Sequence, residues 1–118
     1  MTKTQKYDLE ERTFIFTNRI ARFCKRLSFN VVNNEYIKQV IRSAGSVGAN
    51  YIEANEALGK KDFLMRIRIC RKEAKETAYW LRLIIECNSK MHSQEAGQLH
   101  KEAIELKKIF SAIINKCK

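Results

Sequence analysis

The sequence predicts an all-α protein, an antiparallel up-down-up-down four-helix bundle. The chain of 118 residues has no proline and only four glycines, whereas a β-sandwich or β-barrel needs many tight turns built from those residues. Four segments instead repeat apolar residues at the 3.6-residue period of a helix. Short connections between such segments favour antiparallel neighbours. The length and the 45% hydrophobic content fit a single domain, residues 1–118.

The first helix is predicted from about Asp8 to Leu27. Its apolar positions recur at spacings of three, four and seven, which is the pattern of one buried helix face. They are Leu9, Phe16, Ile20, Phe23 and Leu27.

The second helix is predicted from about Glu35 to Leu58, with Asn33 or Asn34 as its N-cap and Gly59 as its C-terminal stop. Its apolar face consists of Ile37, Val40, Ile41, Ala44, Val47, Gly48, Tyr51, Ile52 and Leu58. A glycine inside a helix costs about 1 kcal/mol relative to alanine. Gly45 and Gly48 therefore predict a close approach of a neighbouring helix, and the alternative is a break in the helix at this point.

The third helix is predicted from about Lys61 to Cys87. A polar connector follows at 88–92, with Ser93 as the candidate N-cap of the fourth helix, which extends to about Cys117. The apolar stripe of the fourth helix is Leu99, Ala103, Leu106, Phe110, Ile113 and Cys117.

The third helix carries two apolar stripes, although a helix of an isolated bundle needs one. The first stripe is Phe63, Ile67, Cys70, Ala74, Leu81 and Ile85, and the second is Met65, Ile69, Trp80, Leu83 and Cys87. Large apolar groups outside the core stripe are typical of interfaces, and we therefore predict a homo-oligomer. The expected interface residues are Phe14, Met65, Ile69, Trp80 and Leu83. The alternative is an irregular bundle that buries these side chains internally.

The chain is strongly basic, with 23 Lys and Arg against 13 Asp and Glu and a formal charge of +10. Two helices hold their cations in rows whose spacings of three, four and seven place them on one side. The candidate phosphate-binding residues are Arg12, Arg19, Arg22 and Arg26 on the first helix, and Arg68, Arg71, Lys75 and Arg82 on the third. Arginine suits phosphate because its planar donor fork matches the oxyanion. The alternative is an ordinary solvated face.

No pattern in the sequence indicates catalysis, a metal or a cofactor. Neither histidine belongs to a Glu-x-x-His motif, so a di-iron site is excluded. No glycine-rich phosphate loop is present, and no Cys-x-x-Cys pair nucleates a zinc site. Cys24, Cys70 and Cys117 lie on predicted core stripes, where thiols are inert. The sequence also lacks a signal peptide or membrane-spanning segment, which predicts a cytoplasmic protein without a membrane partner.

Two segments resemble a known family. They are Ile41–Ala54, rich in small residues, and Asp62–Phe63 together with Ile69–Leu81. They are similar to the four-helix-bundle proteins encoded in intervening sequences of bacterial large-subunit ribosomal RNA genes, which are related to accessory variability proteins of diversity-generating retroelements. Ala54 departs from the pattern, because many members have glycine there.

The resemblance implies a cytoplasmic bacterial protein that assembles as a homopentamer. It supplies no catalytic residue. For the retroelement relatives it implies binding of nucleic acid and of a reverse transcriptase.

Three functional hypotheses follow. The first is a non-enzymatic homo-oligomeric bundle that binds RNA or DNA through its basic surface. The second is a protein-interaction scaffold, for example an accessory subunit of a reverse transcriptase. The third is an intervening-sequence product without a defined cellular role.

Overall fold

The structure, a computed structural model, describes residues 2–117, with side chains from Leu9 onward. Its four helices are α1 (Thr2–Lys25), α2 (Val31–Asn55), α3 (Lys60–Cys87) and α4 (Ser93–Cys117), and a short 3-10 turn, Lys90–His92, precedes α4. Within residues 2–117 there is no strand. The all-α prediction is therefore confirmed.

Contacts between the helices show that neighbours are antiparallel. Thr17 on α1 donates a hydrogen bond to the carbonyl of Ala44 on α2, whereas Glu10, earlier on α1, accepts one from Asn55, at the end of α2. The α2 and α3 helices run in opposite directions in the same way, since Asn33 pairs with Asn88 near one end and Asn50 with Arg66 near the other.

The core lies between all four helices, and most of its residues follow the predicted stripes. Ile84 and Ile114 are exceptions, since they are fully buried where the stripes predicted their neighbours Ile85 and Ile113, which are only partly buried. Apolar burial of this kind contributes about 25 cal/mol per Å² of surface removed from water. The largest fully buried side chains are Phe16, Phe23, Phe110, Ile20, Ile67, Leu81, Ile84, Leu99, Leu106 and Ile114. Two buried polar contacts join α2 and α3 within the core. The hydroxyls of Ser43 and Thr77 are 2.7 Å apart, and the thiol of Cys70 donates to the carbonyl of Val47 at 3.4 Å.

The α1–α2 connector is shorter than predicted, because Asn30 caps α2 rather than Asn33 or Asn34. The side chain of Asn30 accepts a hydrogen bond from the backbone N–H of Asn33 at 2.8 Å, and this satisfies a donor of the first helical turn. The cap lets α2 begin at Val31. Correspondingly, α1 ends at Lys25, two residues before the predicted Leu27.

The prediction that Gly59 stops α2 is wrong. The helix ends at Asn55, and Gly59 instead stands directly before α3 with an extended backbone. Leu58 lies in this connector, beyond the end of α2, and is fully exposed. The prediction that Leu58 belongs to the apolar face of the second helix is therefore also wrong. Ser93, likewise, is the first residue of α4 and donates to the carbonyl of Lys90, so it does not act as an N-cap.

The two glycines of α2 differ in their surroundings. A Cβ atom at Gly48 would lie 3.2 Å from Oγ1 of Thr13 on α1, so the predicted close approach is confirmed there. A Cβ at Gly45 would meet nothing within 4 Å, so the prediction is wrong for Gly45. The helix is continuous through both positions. Ile41 and Ile52 are exposed rather than buried, since they lie at least about 100° around α2 from buried Val47.

Candidate nucleic-acid interface

The basic row of α1 lies against the carboxylates of α4. Arg12 donates from Nε and Nη2 to the two carboxylate oxygens of Glu102, at 2.7 Å and 2.8 Å. These charge-assisted bonds raise the pKa of Arg12 above its ordinary value, chiefly through the hydrogen bond to Glu102. Arg26, which the sequence placed on the first helix, lies one residue beyond the end of α1 and forms a single contact with Glu95, from Nη2 to one carboxylate oxygen. The charge of these two arginines is therefore largely compensated.

The other two members of the α1 row differ from each other. Arg19 donates to the side-chain carbonyl of Gln98 at 3.4 Å, a neutral partner that leaves its charge in place. Arg22 is exposed and forms no ion pair within residues 9–117. The row predicted from sequence therefore contains two paired and two uncompensated cations.

The basic row of α3 lies in a different environment. Arg68, Lys75 and Arg82 are exposed and Arg71 is half-buried. At 100° per residue, the four positions fall within about 60° of one another. In the part of the chain whose side chains are described, none of them lies within 4 Å of a carboxylate oxygen. All four positive charges are therefore available to an anion in solution.

Nearly opposite this row, α3 is acidic where it packs on α2. Arg42 contacts two carboxylates, those of Glu76 and Glu73, the latter at 3.6 Å. Glu73 is buried, and its Oε1 has no hydrogen-bond partner among the described residues. The indole N–H of Trp80 donates to Glu76 at 3.0 Å. This hydrogen bond, followed by that from Arg42, holds the pKa of Glu76 below its ordinary value. On this side of α3 the carboxylates of Glu73 and Glu76 are thus engaged by groups of the bundle itself.

The predicted interface residues lie in two separate places. Phe14 is 65% exposed and borders a depression of about 250 Å³ between α1 and α2, together with Gly45 and Ile52. Met65, 45% exposed, and half-buried Ile69 and Leu83 lie on the outer side of α3.

Trp80 is half-buried, with its ring centroid 6.0 Å from that of Tyr36 on α2. The sequence predicts Trp80 as an interface residue, but part of its apolar surface is covered by packing within the subunit. Nine large apolar side chains that the interface prediction omitted are also exposed among the described residues. They are Ile15, Phe29, Val31, Val32, Ile41, Ile52, Leu58, Tyr79 and Met91.

The cysteines divide into two groups. Cys24 and Cys70 are buried, and burial raises the pKa of the Cys24 thiol to about 11 and that of Cys70 to about 12. Neither thiol ionises near neutral pH. Cys117 is half-buried and Cys87 is exposed, so the predicted core position of Cys117 is only partly realised.

Two further observations concern ligands and membranes. Nowhere within the described range do three His, Cys, Asp or Glu side chains come together as candidate metal ligands. No helix among residues 2–117 has both the length and the apolar character required to cross a lipid bilayer.

Comparisons with known proteins agree with the resemblance seen in the sequence. A solved structure from Bacteroides thetaiotaomicron VPI-5482, described as a protein with unknown function from the S23 ribosomal protein family, has a TM-score of 0.76 and 30% sequence identity. The similarity covers 89% of this chain and 96% of that chain. A search of curated proteins gives no match. The sequence model of 23S rRNA-intervening sequence proteins matches residues 5–112. The chain therefore belongs to the family of 23S rRNA-intervening sequence proteins.

Proposed function

We propose that this protein is a non-enzymatic, homo-oligomeric helical bundle of the cytoplasm that binds the phosphates of RNA or DNA along α3. The observation that carries the proposal is the difference between the two basic rows. Arg12 on α1 and Arg26, one residue beyond its end, already have carboxylate partners, whereas Arg68, Arg71, Lys75 and Arg82 on α3 have none among residues 9–117.

The α3 row has the geometry of a surface for a phosphate backbone. Positions 68 and 82 are fourteen residues apart, which places them about 21 Å apart along the helix axis at 1.5 Å per residue. Lys107 on α4 is half-buried and lies about 120–140° around its helix from Glu95 and Glu102, away from the side that these acids occupy.

The proposed oligomer rests on the two separated apolar areas. One lies at the α1–α2 depression beside Phe14, and the other lies on the outer side of α3 beside Met65 and Leu83. A single patch would favour a two-fold dimer, whereas two different patches on one subunit favour head-to-tail contacts that close into a ring. Such a ring is consistent with the homopentamer that the family resemblance implies. Each added subunit also strengthens the positive field.

The proposal is tested by isolating the native protein and sequencing the nucleic acid that co-purifies with it. The control is a charge-reversed variant, Arg68→Glu, Arg71→Glu and Lys75→Glu, whose helical content is checked by circular dichroism. We expect nucleic acid with the wild type and its loss from the variant. Equal recovery with both proteins would contradict binding along α3.

The scaffold hypothesis gives a different result in the same experiment. If the basic face contacts an acidic protein, such as a reverse transcriptase, that protein co-purifies and stays bound after nuclease treatment. The exposed apolar areas are compatible with such a partner, and the uncompensated cations of α3 are the observation that favours nucleic acid.

A further inference from the structure

Phe29 is an aromatic side chain that contributes nothing to the core. It is 94% exposed in the connector between α1 and α2. An apolar residue directly before an N-cap often packs against the fourth residue of the helix. Here the N-cap is Asn30 and the fourth helical residue is Asn34, a polar residue, so this packing is absent. The fold therefore leaves one face of an aromatic ring available to a ligand.

The backbone on both sides of Phe29 is held in place by a polar network. The side chain of Asn33 donates to the carbonyl of Ser28 at 2.9 Å and to Asn88 at 3.0 Å. Asn88 returns a hydrogen bond to Asn33 at 2.9 Å and donates another to the carbonyl of Ile84. Asn30 completes the network through its cap on Asn33. Because the connector is fixed in this way, its backbone has little conformational entropy left to lose when a ligand binds to Phe29.

The ring borders a shallow depression with the size and chemistry to receive a nucleobase. The depression has a volume of about 450 Å³, and its apolar walls are Phe29, Val31 and Ile37. Asn34 supplies an amide that can donate to and accept from a base edge. Lys38 lies at the rim, 3.5 Å from Glu35.

Cations surround this end of the bundle. The Asn33–Asn88 contact joins the α1–α2 and α3–α4 connectors, so Lys25 and Lys90 belong to the same end. Both are exposed, and neither has a carboxylate partner in the described part of the chain. An exposed aromatic ring within a positive field is the combination that single-strand-binding proteins use, since bases stack on the ring while cations hold the backbone.

We infer that an unpaired nucleotide of single-stranded nucleic acid stacks on Phe29, with its backbone held by Lys25 and Lys90. This inference rests on the proposed function, because it requires that the protein bind nucleic acid. It specifies the substrate as single-stranded, since a base within a duplex does not expose its face to the ring.

The test measures the affinity of wild type and variants for a short oligoribonucleotide containing a fluorescent adenine analogue, and for the same sequence as a duplex. We expect Phe29→Ala to weaken single-strand binding about 5- to 100-fold and to leave duplex binding unchanged. Phe29→Trp retains the affinity, and Phe29→Leu loses it because leucine has no ring. Quenching of the analogue by the wild type, and not by Phe29→Ala, reports the stacking directly.

The matched control is Leu58→Ala, which removes a fully exposed apolar side chain from the connector at the opposite end of the bundle. This variant should bind like the wild type. The inference is overturned if Phe29→Ala or Phe29→Leu retains full single-strand affinity. It is also overturned if Phe29→Ala changes the oligomeric mass in light scattering without changing RNA binding, because Phe29 would then contact protein.

The same experiment separates this inference from the proposed function. If the wild type binds neither oligonucleotide, both are wrong. If the wild type binds, and charge reversal on α3 weakens binding whereas Phe29→Ala does not, only the stacking inference is wrong.

Discussion

Arg12 on α1 and Glu102 on α4 form two parallel hydrogen bonds, 2.7 Å and 2.8 Å long, across ninety residues of sequence. Arg26, one residue beyond the C-terminal end of α1, forms a single contact with Glu95 of α4. These pairs hold α1 to α4 and compensate the charges that they contain. The two basic rows therefore differ among the described residues: Arg19 and Arg22 are the uncompensated half of the first row, whereas all four cations of the α3 row are uncompensated.

Removing the acid of the Arg12–Glu102 pair should change stability and binding in opposite directions. We expect Glu102→Gln to lower the free energy of unfolding by about 1 kcal/mol, because the pair is half-exposed and solvent screens it. The same change releases the charge of Arg12 and should raise affinity for RNA at low salt. Urea unfolding and fluorescence anisotropy measure the two effects. A Glu102→Gln protein that binds RNA less tightly than wild type would contradict the assignment.

The two glycines of α2 should respond differently to substitution. Gly45→Ala adds a methyl group that meets no atom within 4 Å, so we expect a gain of about 0.5–1 kcal/mol from helix propensity. Gly48→Val places a branched side chain against Thr13, where even a Cβ would lie 3.2 Å from Oγ1. It should therefore cost about 1–3 kcal/mol. Thermal unfolding compares the two variants, and similar shifts for both would show that α1 and α2 are not in close contact at Gly48.

Glu76 should make the stability of the fold depend on pH. Its pKa is lowered in the folded state, chiefly by the hydrogen bond from Trp80 and then by Arg42. The carboxylate therefore contributes stability that is fully present above the ordinary glutamate pKa of about 4.3 and is lost as the pH falls through the lower folded value. Glu76→Gln should be less stable than wild type at pH 7, and the difference should shrink toward about pH 3. A difference that is independent of pH would contradict the assignment.

The proposed ring of subunits should dissociate when a charged side chain is introduced into either apolar area. We expect Phe14→Glu and Met65→Glu to reduce the mass measured by light scattering to that of the 13.8 kDa monomer. Both side chains are largely exposed within one subunit, so neither change should unfold it. Gln94→Glu, an equal charge at an exposed position of α4, is the control. Dissociation by Gln94→Glu alone, or a monomeric wild type, would contradict the assembly proposal.

The helices and the core could be predicted from the sequence because both depend on local periodicity. The α3 helix was placed within one residue of its observed start, and the buried stripe of α4 includes Leu99, Leu106 and Phe110 as expected. Errors occur where one local signal competes with another. Asn30, Asn33 and Asn34 are all of a residue type that favours the N-cap position. Asn33 does not cap the helix because it is buried and its side chain pairs with Asn88, a tertiary contact that the local sequence does not reveal.

The candidate site could be predicted only in part, because charge compensation depends on tertiary contacts. The rows on α1 and α3 have equivalent spacings in the sequence, and nothing local shows that Glu102 and Glu95 lie opposite the α1 arginines. Phe29 belongs to none of the predicted apolar stripes, and its exposure is a property of the folded chain. A signal was nevertheless present, because Phe29 precedes a helix whose fourth residue is polar.

The central claim is that phosphates contact α3 rather than the basic surface in general. The most direct test is the salt dependence of binding to single-stranded RNA, measured for wild type and two variants that lose the same charge. One variant carries Arg68→Gln, Arg71→Gln and Lys75→Gln, and the other carries Arg12→Gln, Arg19→Gln and Arg26→Gln. The log–log slope should become shallower by about 0.7 for each lost contact, or about 2 in total, in the α3 variant. It should change much less in the α1 variant, and equal changes in both would contradict the claim.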